Sequence, residues 1–377
     1  MRLAFCLFRY FPYGGLQRDL AATVAHCVAA GHAVRVYAQA WSGPRLDGCE
    51  VQLLPVSGLT NHARAARFAD AVQERIAATR PDVVVGFDKM PGLDLYYAAD
   101  PCFLEHAHGE RHRAYRLTPR YRTFAALERG VFGPEADTRI LLIDPRQEPV
   151  YRRWHETSEE RFTHLPPGVA RDRCLGDDAA LLRTAARAEF GLADDDLLLL
   201  LLGSDFHRKG LDRAIRALAA LPAPLRGRCR LLAVGADRPG RMQRLATRLG
   251  VGAEVLFAEG RDDVPALLQA ADLMVHPART ENTGTVLLEA LVAGLPVLTT
   301  AACGYAHYID AAGAGTVLRE PFRQQALEHS LERLLKADRA AYGRRGLAYA
   351  EQHDLHGQHA ALLAEIEAVV AEPLYGS

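Results

Sequence analysis

What the chain lacks narrows its chemistry first. Its seven cysteines are odd in number and form no Cys-x-x-Cys pair. That argues against a zinc framework and for a reducing compartment. Basic and acidic residues nearly balance, 45 against 46, so bulk attraction to nucleic acid is not expected. The longest leucine run, residues 197–202, is far too short to span a bilayer. Residues 1–7 are apolar apart from Arg2, Arg9 breaks the run, and a clustered charged leader and a long apolar core are both missing. A signal peptide is therefore not expected, and the chain is assigned to the cytosol or its membrane face. The dinucleotide fingerprint G-x-G-x-x-G is absent, which disfavours a nicotinamide or flavin cofactor. The triplet Asp194-Asp195-Asp196 precedes its strand, on the wrong edge of a parallel sheet for ligands, and reads as a solvated turn. No other acidic cluster stands at a strand's carboxyl end, so neither a divalent metal nor another cofactor is expected.

What is present is an α/β rhythm that runs twice. A chain of 377 residues exceeds one average core, and two domains are the default. Residues 3–8 read as a buried parallel strand. A loop ending in Gly14-Gly15 follows, then a helix over about 16–30 closed by Gly31, then a strand over 33–38. This is the unit of a doubly wound fold. Gly15 can admit a phosphate or a sugar ring. Asp19, placed in the first helical turn, either faces the ligand or complements the helix dipole. Further strands are expected at 51–55, 83–87 and 95–98. Asp100 follows the last of these, as a weak acceptor-side candidate or an ordinary loop acid.

Leu165-Pro166-Pro167-Gly168 is stiff and turn-rich and reads as the interdomain linker. Arg171 and Arg173 come next. The pattern restarts with strands at 197–202, 230–234, 255–258 and 273–276, each followed by a helical stretch. Glu320-Pro321-Phe322 ends it. An amphipathic stretch over 358–371 is long enough to return to the first domain. The expected division is therefore 1–168 with a C-terminal helix over about 356–377, and 169–355.

The most suggestive stretch is Glu281-Asn282-Thr283-Gly284-Thr285-Val286-Leu287-Leu288-Glu289, which follows a strand end and leads into a helix expected over 285–292. Asn282 or Thr283 can cap that helix, and Gly294 with Pro296 stops it. A helix N-terminus carries roughly half a positive charge and suits a phosphate. Gly284 permits close approach of a ligand to the backbone. Glu281 and Glu289 can flank an anion held by amides and accept hydrogen bonds from sugar hydroxyls. A surface helix with an acidic first turn is the plain alternative. After the strand at 197–202, Arg208 and Lys209 can reach two phosphates, the first as a planar fork and the second as a point charge. Arg261 also lies at a strand's carboxyl end.

Residues 103–132 have a different character. Arg111, Arg113, Arg116, Arg120, Arg122 and Arg129 interleave with Tyr115, Tyr121, Phe124 and Phe132, while the acids are only Glu105, Glu110 and Glu128. Such a surface suits anionic lipid head groups or lipid-bound phosphates; a solvated basic helix is the alternative. His106, His108 and His112 lack the acids or cysteines that would make a metal site.

These pieces resemble the retaining GT-B glycosyltransferases of family four: two Rossmann-like doubly wound domains facing a cleft, a Gly-Gly loop in the first, a basic pair and Glu-x7-Glu in the second. The strings Phe11-Pro-Tyr-Gly-Gly-Leu-Gln-Arg-Asp19, Lys89-Met-Pro-Gly-Leu-Asp94, Leu165-Pro-Pro-Gly168, Arg208-Lys-Gly210 and Cys303-Gly-Tyr-Ala-His-Tyr308 are similar to the subfamily of lipopolysaccharide core glucosyltransferases acting on the heptose region. The likeness runs over nearly the whole chain. It implies a retaining, metal-independent transfer from a UDP-sugar co-substrate to a lipid-linked heptose, by a peripheral protein on the inner face of the cytoplasmic membrane. Gly15 and Asp19 would line the donor sugar and phosphate. Arg208 and Lys209 would hold the diphosphate, and Arg261 would sit by uracil or ribose. Glu281 would bind the sugar, Glu289 the ribose, and Thr283, Gly284 and Thr285 would offer amides. Arg173 is also carried over as donor-binding. Arg111, Arg113, Arg116, Arg120 and Arg122 match the membrane-contacting region. Where some members have small apolar residues, Asn282, Thr283 and Thr285 are polar, which leaves UDP-N-acetylgalactosamine open beside UDP-glucose. Two other readings are a sugar-nucleotide epimerase of the same architecture and a non-catalytic nucleotide-sugar-binding membrane protein.

Overall fold

The structure is a computed structural model and describes residues 1–12, 14–109 and 111–371. Tyr13 of the Gly-Gly string, Glu110 of the basic segment and residues 372–377 of the expected C-terminal helix lie outside the described residues. Two compact units are present. The first is Met1–Gly168 together with the chain from Gly357 onward, and the second is Val169–His356.

The first unit is built on seven parallel strands: β1 (Arg2–Tyr10), β2 (Ala33–Trp41), β3 (Cys49–Leu53), β4 (Val83–Gly86), β5 (Leu95–Ala98), β6 (Arg139–Leu142) and β7 (Phe162–His164). Their order is β3-β2-β1-β4-β5-β6-β7. β1 lies between β2 and β4, with Leu3 opposite Val34 on one side and Val83 on the other, and every residue from Leu3 to Leu7 is buried. That explains a continuous apolar run in place of alternation, since both faces of the sheet are covered. The helix Gln358–Ala371 belongs to this unit. Its Leu362 and Ile366 are fully buried in the same cluster as Leu3, Leu20 and Val24. Burial of each such side chain contributes about 1.5–3 kcal/mol, which is what brings the chain terminus back to the first sheet.

The second unit carries six parallel strands: β8 (Leu197–Leu202), β9 (Cys229–Val234), β10 (Val255–Ala258), β11 (Leu273–His276), β12 (Val297–Thr300) and β13 (Gly315–Leu318). Their order is β10-β9-β8-β11-β12-β13. Asp194-Asp195-Asp196 forms a turn before β8, where Asp196 accepts the Ala193 N–H at 2.9 Å. In each sheet the strand order reverses beside the first strand, between β1 and β4 and between β8 and β11. Loops leaving those carboxyl ends are where such sheets bind ligands.

β6, β7, β12 and β13 were not expected from the sequence. They are only three or four residues long. A run that short cannot be told from loop or helix by periodicity.

Candidate active site

The loops after β8 and β11 are fastened to each other. Gly210 has φ +79°, and a Cβ there would stand 2.0 Å from the Pro277 carbonyl oxygen, so only glycine permits this approach. The Arg279 N–H donates to the Arg208 carbonyl at 2.8 Å. Arg213 donates to the Pro277 and Ala278 carbonyls, each at 3.1 Å. Arg279 forks onto Asp212 with two bonds of 2.8 Å.

This stitching brings Arg208 and Lys209 onto Glu281. Arg208 Nη1 lies 3.0 Å from Glu281 Oε2, and the Lys209 ammonium donates to the same oxygen. Burial alone would raise the Glu281 pKa. The neighbouring His276, Lys209 and Arg208 outweigh it and hold the carboxyl well below its usual range. Glu281 is therefore ionised at neutral pH, and the cluster carries two cations against one anion.

The helix Thr285–Val292 starts where the sequence placed it, but its cap differs. Neither Asn282 nor Thr283 caps it; Gly284 occupies that position with φ +82° and no side-chain cap bond. The chain must turn left-handed there, which glycine does without strain, and Asn282 and Thr283 stand too early to reach the first amides. The Thr283 carbonyl instead accepts the Tyr305 N–H at 2.7 Å, and Glu281 bridges Cys303. The Cys303–Tyr308 string thus supports the loop that presents Glu281. Asn282, Thr283 and Thr285 are all half-buried.

Glu289 is buried on the same helix, with Arg173 Nε 3.8 Å from its Oε1. Arg173 is itself buried and also pairs with Asp172 at 3.3 Å. Neither acid therefore stands alone at the start of this helix. Each acid already has a basic neighbour, because a buried charge needs one.

In the first unit, Gly15 opens the helix Gly15–Ala29, and a Cβ on it would meet nothing within 4 Å. Asp19 lies just past the first turn, not within it, because the helix begins at Gly15. The Tyr97 hydroxyl donates to Asp19 Oδ2 at 2.8 Å and accepts from Gln358 Nε2 at 2.6 Å. The C-terminal helix therefore reaches Asp19 through one tyrosine.

Comparison with known proteins follows this geometry. Residues 13–173 match the family described as Glycosyltransferase Family 4, and residues 183–347 match Glycosyl transferases group 1. The lipopolysaccharide glucosyltransferase WaaG of Escherichia coli (strain K12) is 46% identical over 94% of this chain and 96% of its own. A crystal structure of WaaG superposes with a TM-score of 0.94 at 44% identity, over 97% of this chain and 99% of that one. The chain belongs to the family 4 glycosyltransferases. Its fold is also that of Anabaena Alr3699/HepE, solved with UDP and glucose, at a TM-score of 0.76 and 17% identity; that likeness shows the two-domain GT-B fold alone.

Two further residues singled out in the sequence of this transferase follow the carboxyl ends of strands. Arg261 follows β10, but its guanidinium is engaged by Asp263 at 2.6–2.7 Å and by Glu189 at 2.5–2.9 Å. Those two carboxylates raise its pKa further and engage most of its donor fork. Asp100 is exposed after β5, and its carbonyl accepts the Tyr151 hydroxyl at 2.6 Å.

The basic segment is a short helix Phe103–Gly109, a 3-10 turn Arg113–Leu117 and a helix Pro119–Phe132 capped by Thr118. Arg111, Arg113, Arg120 and Arg122 are exposed, and Arg116 is half-buried. Arg111 lies 5.8 Å from the Tyr115 ring and Arg120 5.2 Å from Phe124. Glu128 does not temper this surface, because it is fully buried. It accepts Lys89 Nζ at 2.6 Å, the Phe103 N–H at 2.7 Å, the Leu104 N–H at 3.1 Å and His155 Nε2 at 3.0 Å. Cys102, Glu128 and His155 form, among the described residues, a trio with metal-ligand spacing. The Glu128 oxygens are filled by the ammonium, two amides and the imidazole, so the set does not fit a cation.

Two residues at ligand edges were missed. His276 closes β11 beside Glu281 and passed for an ordinary strand residue. Asp88, after β4, accepts the Phe8 N–H at 2.5 Å, and burial pushes its pKa up to about 7. A lone polar residue at a strand's carboxyl end is the signal that could have found each.

Proposed function

We propose that this glycosyltransferase moves a hexose from a UDP-sugar onto heptose of the lipopolysaccharide inner core, with retention at the anomeric carbon. The observation that carries this is the Arg208–Lys209–Glu281 cluster beside the start of the helix Thr285–Val292, at the carboxyl ends of β8 and β11. It combines cations for a diphosphate with an acid for sugar hydroxyls. Identity to an enzyme named a lipopolysaccharide glucosyltransferase supports the substrate class, and it supports transfer over the epimerase and non-catalytic readings.

On this reading Arg208, Lys209 and the amides of Gly284 and Thr285 take the diphosphate. Glu281 grips the sugar ring, with Asn282 and Thr283 beside it, and Glu289, set by Arg173, takes the ribose. Gly15 and Asp19 keep their assignment to the donor sugar and phosphate. The bond from the anomeric carbon to phosphate breaks as the heptose hydroxyl attacks from the same face. The hydroxyl proton passes to the departing phosphate oxygen. Cations and helix dipole stabilise the charge that develops there, so no metal is required.

The segment 103–132 supports a peripheral seat on an anionic membrane, on the inner face of the cytoplasmic membrane where a lipid-linked acceptor would be met. Among the described residues no helix is long and apolar enough to cross a membrane. The test is incubation with truncated lipid-linked core and a panel of UDP-sugars, with the products weighed. A hexose added from UDP-glucose is expected. Transfer of an N-acetylhexosamine alone would move the donor assignment to the polar loop's alternative. Interconversion of donors without acceptor would contradict the proposal.

A further inference from the structure

We propose that His276 is a positioning residue for Glu281, the partner that holds this carboxylate once the donor's diphosphate draws its cations away. This rests on the reading of Arg208 and Lys209 as diphosphate ligands.

His276 is fully buried at the end of β11, and among the described residues neither ring nitrogen has a hydrogen-bond partner. Buried polar side chains are rarely left so, and an orphan of this kind calls for an explanation. Its surroundings offer little relief. Thr299 donates its hydroxyl to the His276 carbonyl at 3.0 Å, not to the ring. Lys209 and Arg208 are donors and cannot receive the ring's N–H. An acceptor beside the ring is Glu281, whose Oε2 lies 3.9 Å from His276 Nε2, about 0.7 Å beyond bonding range. That oxygen is already taken by the Lys209 ammonium and Arg208 Nη1.

The free enzyme therefore holds a crowded acceptor with an idle donor beside it. A diphosphate competes strongly for both cations through charge-assisted bonds. As they turn to phosphate, a carboxylate with 12% of its side chain exposed would lose its compensation. A small shift of His276 lets Nε2–H donate to Oε2 and keeps Glu281 aimed at the sugar. Burial lowers the His276 pKa, so the ring is neutral. A neutral donor does this without adding a third cation that would compete for the phosphates.

Two variants test the idea. His276→Phe keeps a flat ring and removes the N–H, and His276→Gln returns an N–H near the same place. His276→Phe is expected to lower kcat at least about tenfold with UDP affinity within about twofold of wild type, and His276→Gln to recover most of the loss. Wild-type kcat in His276→Phe would overturn the proposal, since a space-filling ring predicts that. If His276→Phe does not fold, the ring nitrogen resonance of His276 in the intact enzyme decides. It is expected to move to a hydrogen-bonded shift on saturation with UDP, and an unmoved resonance overturns the proposal. The double variant Arg208→Ala with Lys209→Ala separates the two levels. If it still binds UDP, the underlying diphosphate reading fails. If it does not, yet His276→Phe turns over normally, only the role of His276 fails.

Discussion

Lys209 and Glu281 form an ion pair with 10% and 12% of their side chains exposed. Pairs so deeply buried recover little more than their desolvation cost, so stability is a poor reason for keeping one. Placement is a better one. The ammonium is held at the carboxyl end of β8 by the Glu281 carboxylate. Arg208, 38% exposed, shares the same carboxylate oxygen.

Glu281 therefore competes with the donor for both cations, and this has a testable consequence. Glu281→Gln removes the competitor, so UDP alone should bind at least as tightly as to wild type. The same change weakens the grip on the sugar, and kcat should fall about 100-fold or more. Calorimetry with UDP and steady-state kinetics, run side by side, check the split. A parallel loss of UDP affinity would contradict it.

The Lys89–Glu128 pair makes a separate prediction about stability. Burial would raise the Glu128 pKa, but Lys89, His155 and the Phe103 amide outweigh it and hold it at about 2. A depressed carboxyl stabilises the fold above its unfolded pKa near 4.5 and loses that contribution as pH falls toward 2. Glu128→Gln leaves a buried ammonium uncompensated and should cost about 3–5 kcal/mol at pH 7. Thermal unfolding at pH 7 and pH 3.5 checks this, because the gap between wild type and variant should narrow at the lower pH.

Arg261 should be dispensable for nucleotide binding. Its donors face Glu189 and Asp263, which fasten β10's exit loop to the helix Ala179–Glu189. Arg261→Met should leave the UDP dissociation constant within about twofold, as expected for a donor not aimed at ligand. A tenfold loss by calorimetry would return Arg261 to the donor site.

The exposed arginines of 103–132 should govern membrane affinity. Each basic residue near an anionic surface contributes about 1 kcal/mol. Arg113→Glu with Arg122→Glu should therefore weaken binding to vesicles containing anionic lipid by at least about tenfold. Sedimentation with vesicles at two salt concentrations measures it, and wild-type affinity should fall as salt rises.

The doubly wound fold was legible where strands are wholly apolar. β5, β8, β10 and β11 appear at the residues the sequence indicates, because each is a short run made almost wholly of apolar residues. β7 is three residues long, and β12 follows at once on the Gly294 and Pro296 stop signals, so neither carries a pattern to recognise. Residue types at the candidate site were equally visible, since a basic pair after a strand and a Glu-x7-Glu around a helix start stand out. Their partnerships were not. Lys209 and Glu281 are 72 residues apart, and their contact depends on Gly210 lying against Pro277. Glu128 looked like a surface acid because nothing local marks Lys89 as its partner, 39 residues away.

The diphosphate seat is tested most directly by titration calorimetry of UDP into the double variant Arg208→Ala, Lys209→Ala, with circular dichroism confirming an intact fold. The account predicts that heat of binding disappears while the fold survives. A dissociation constant equal to that of wild type would contradict it.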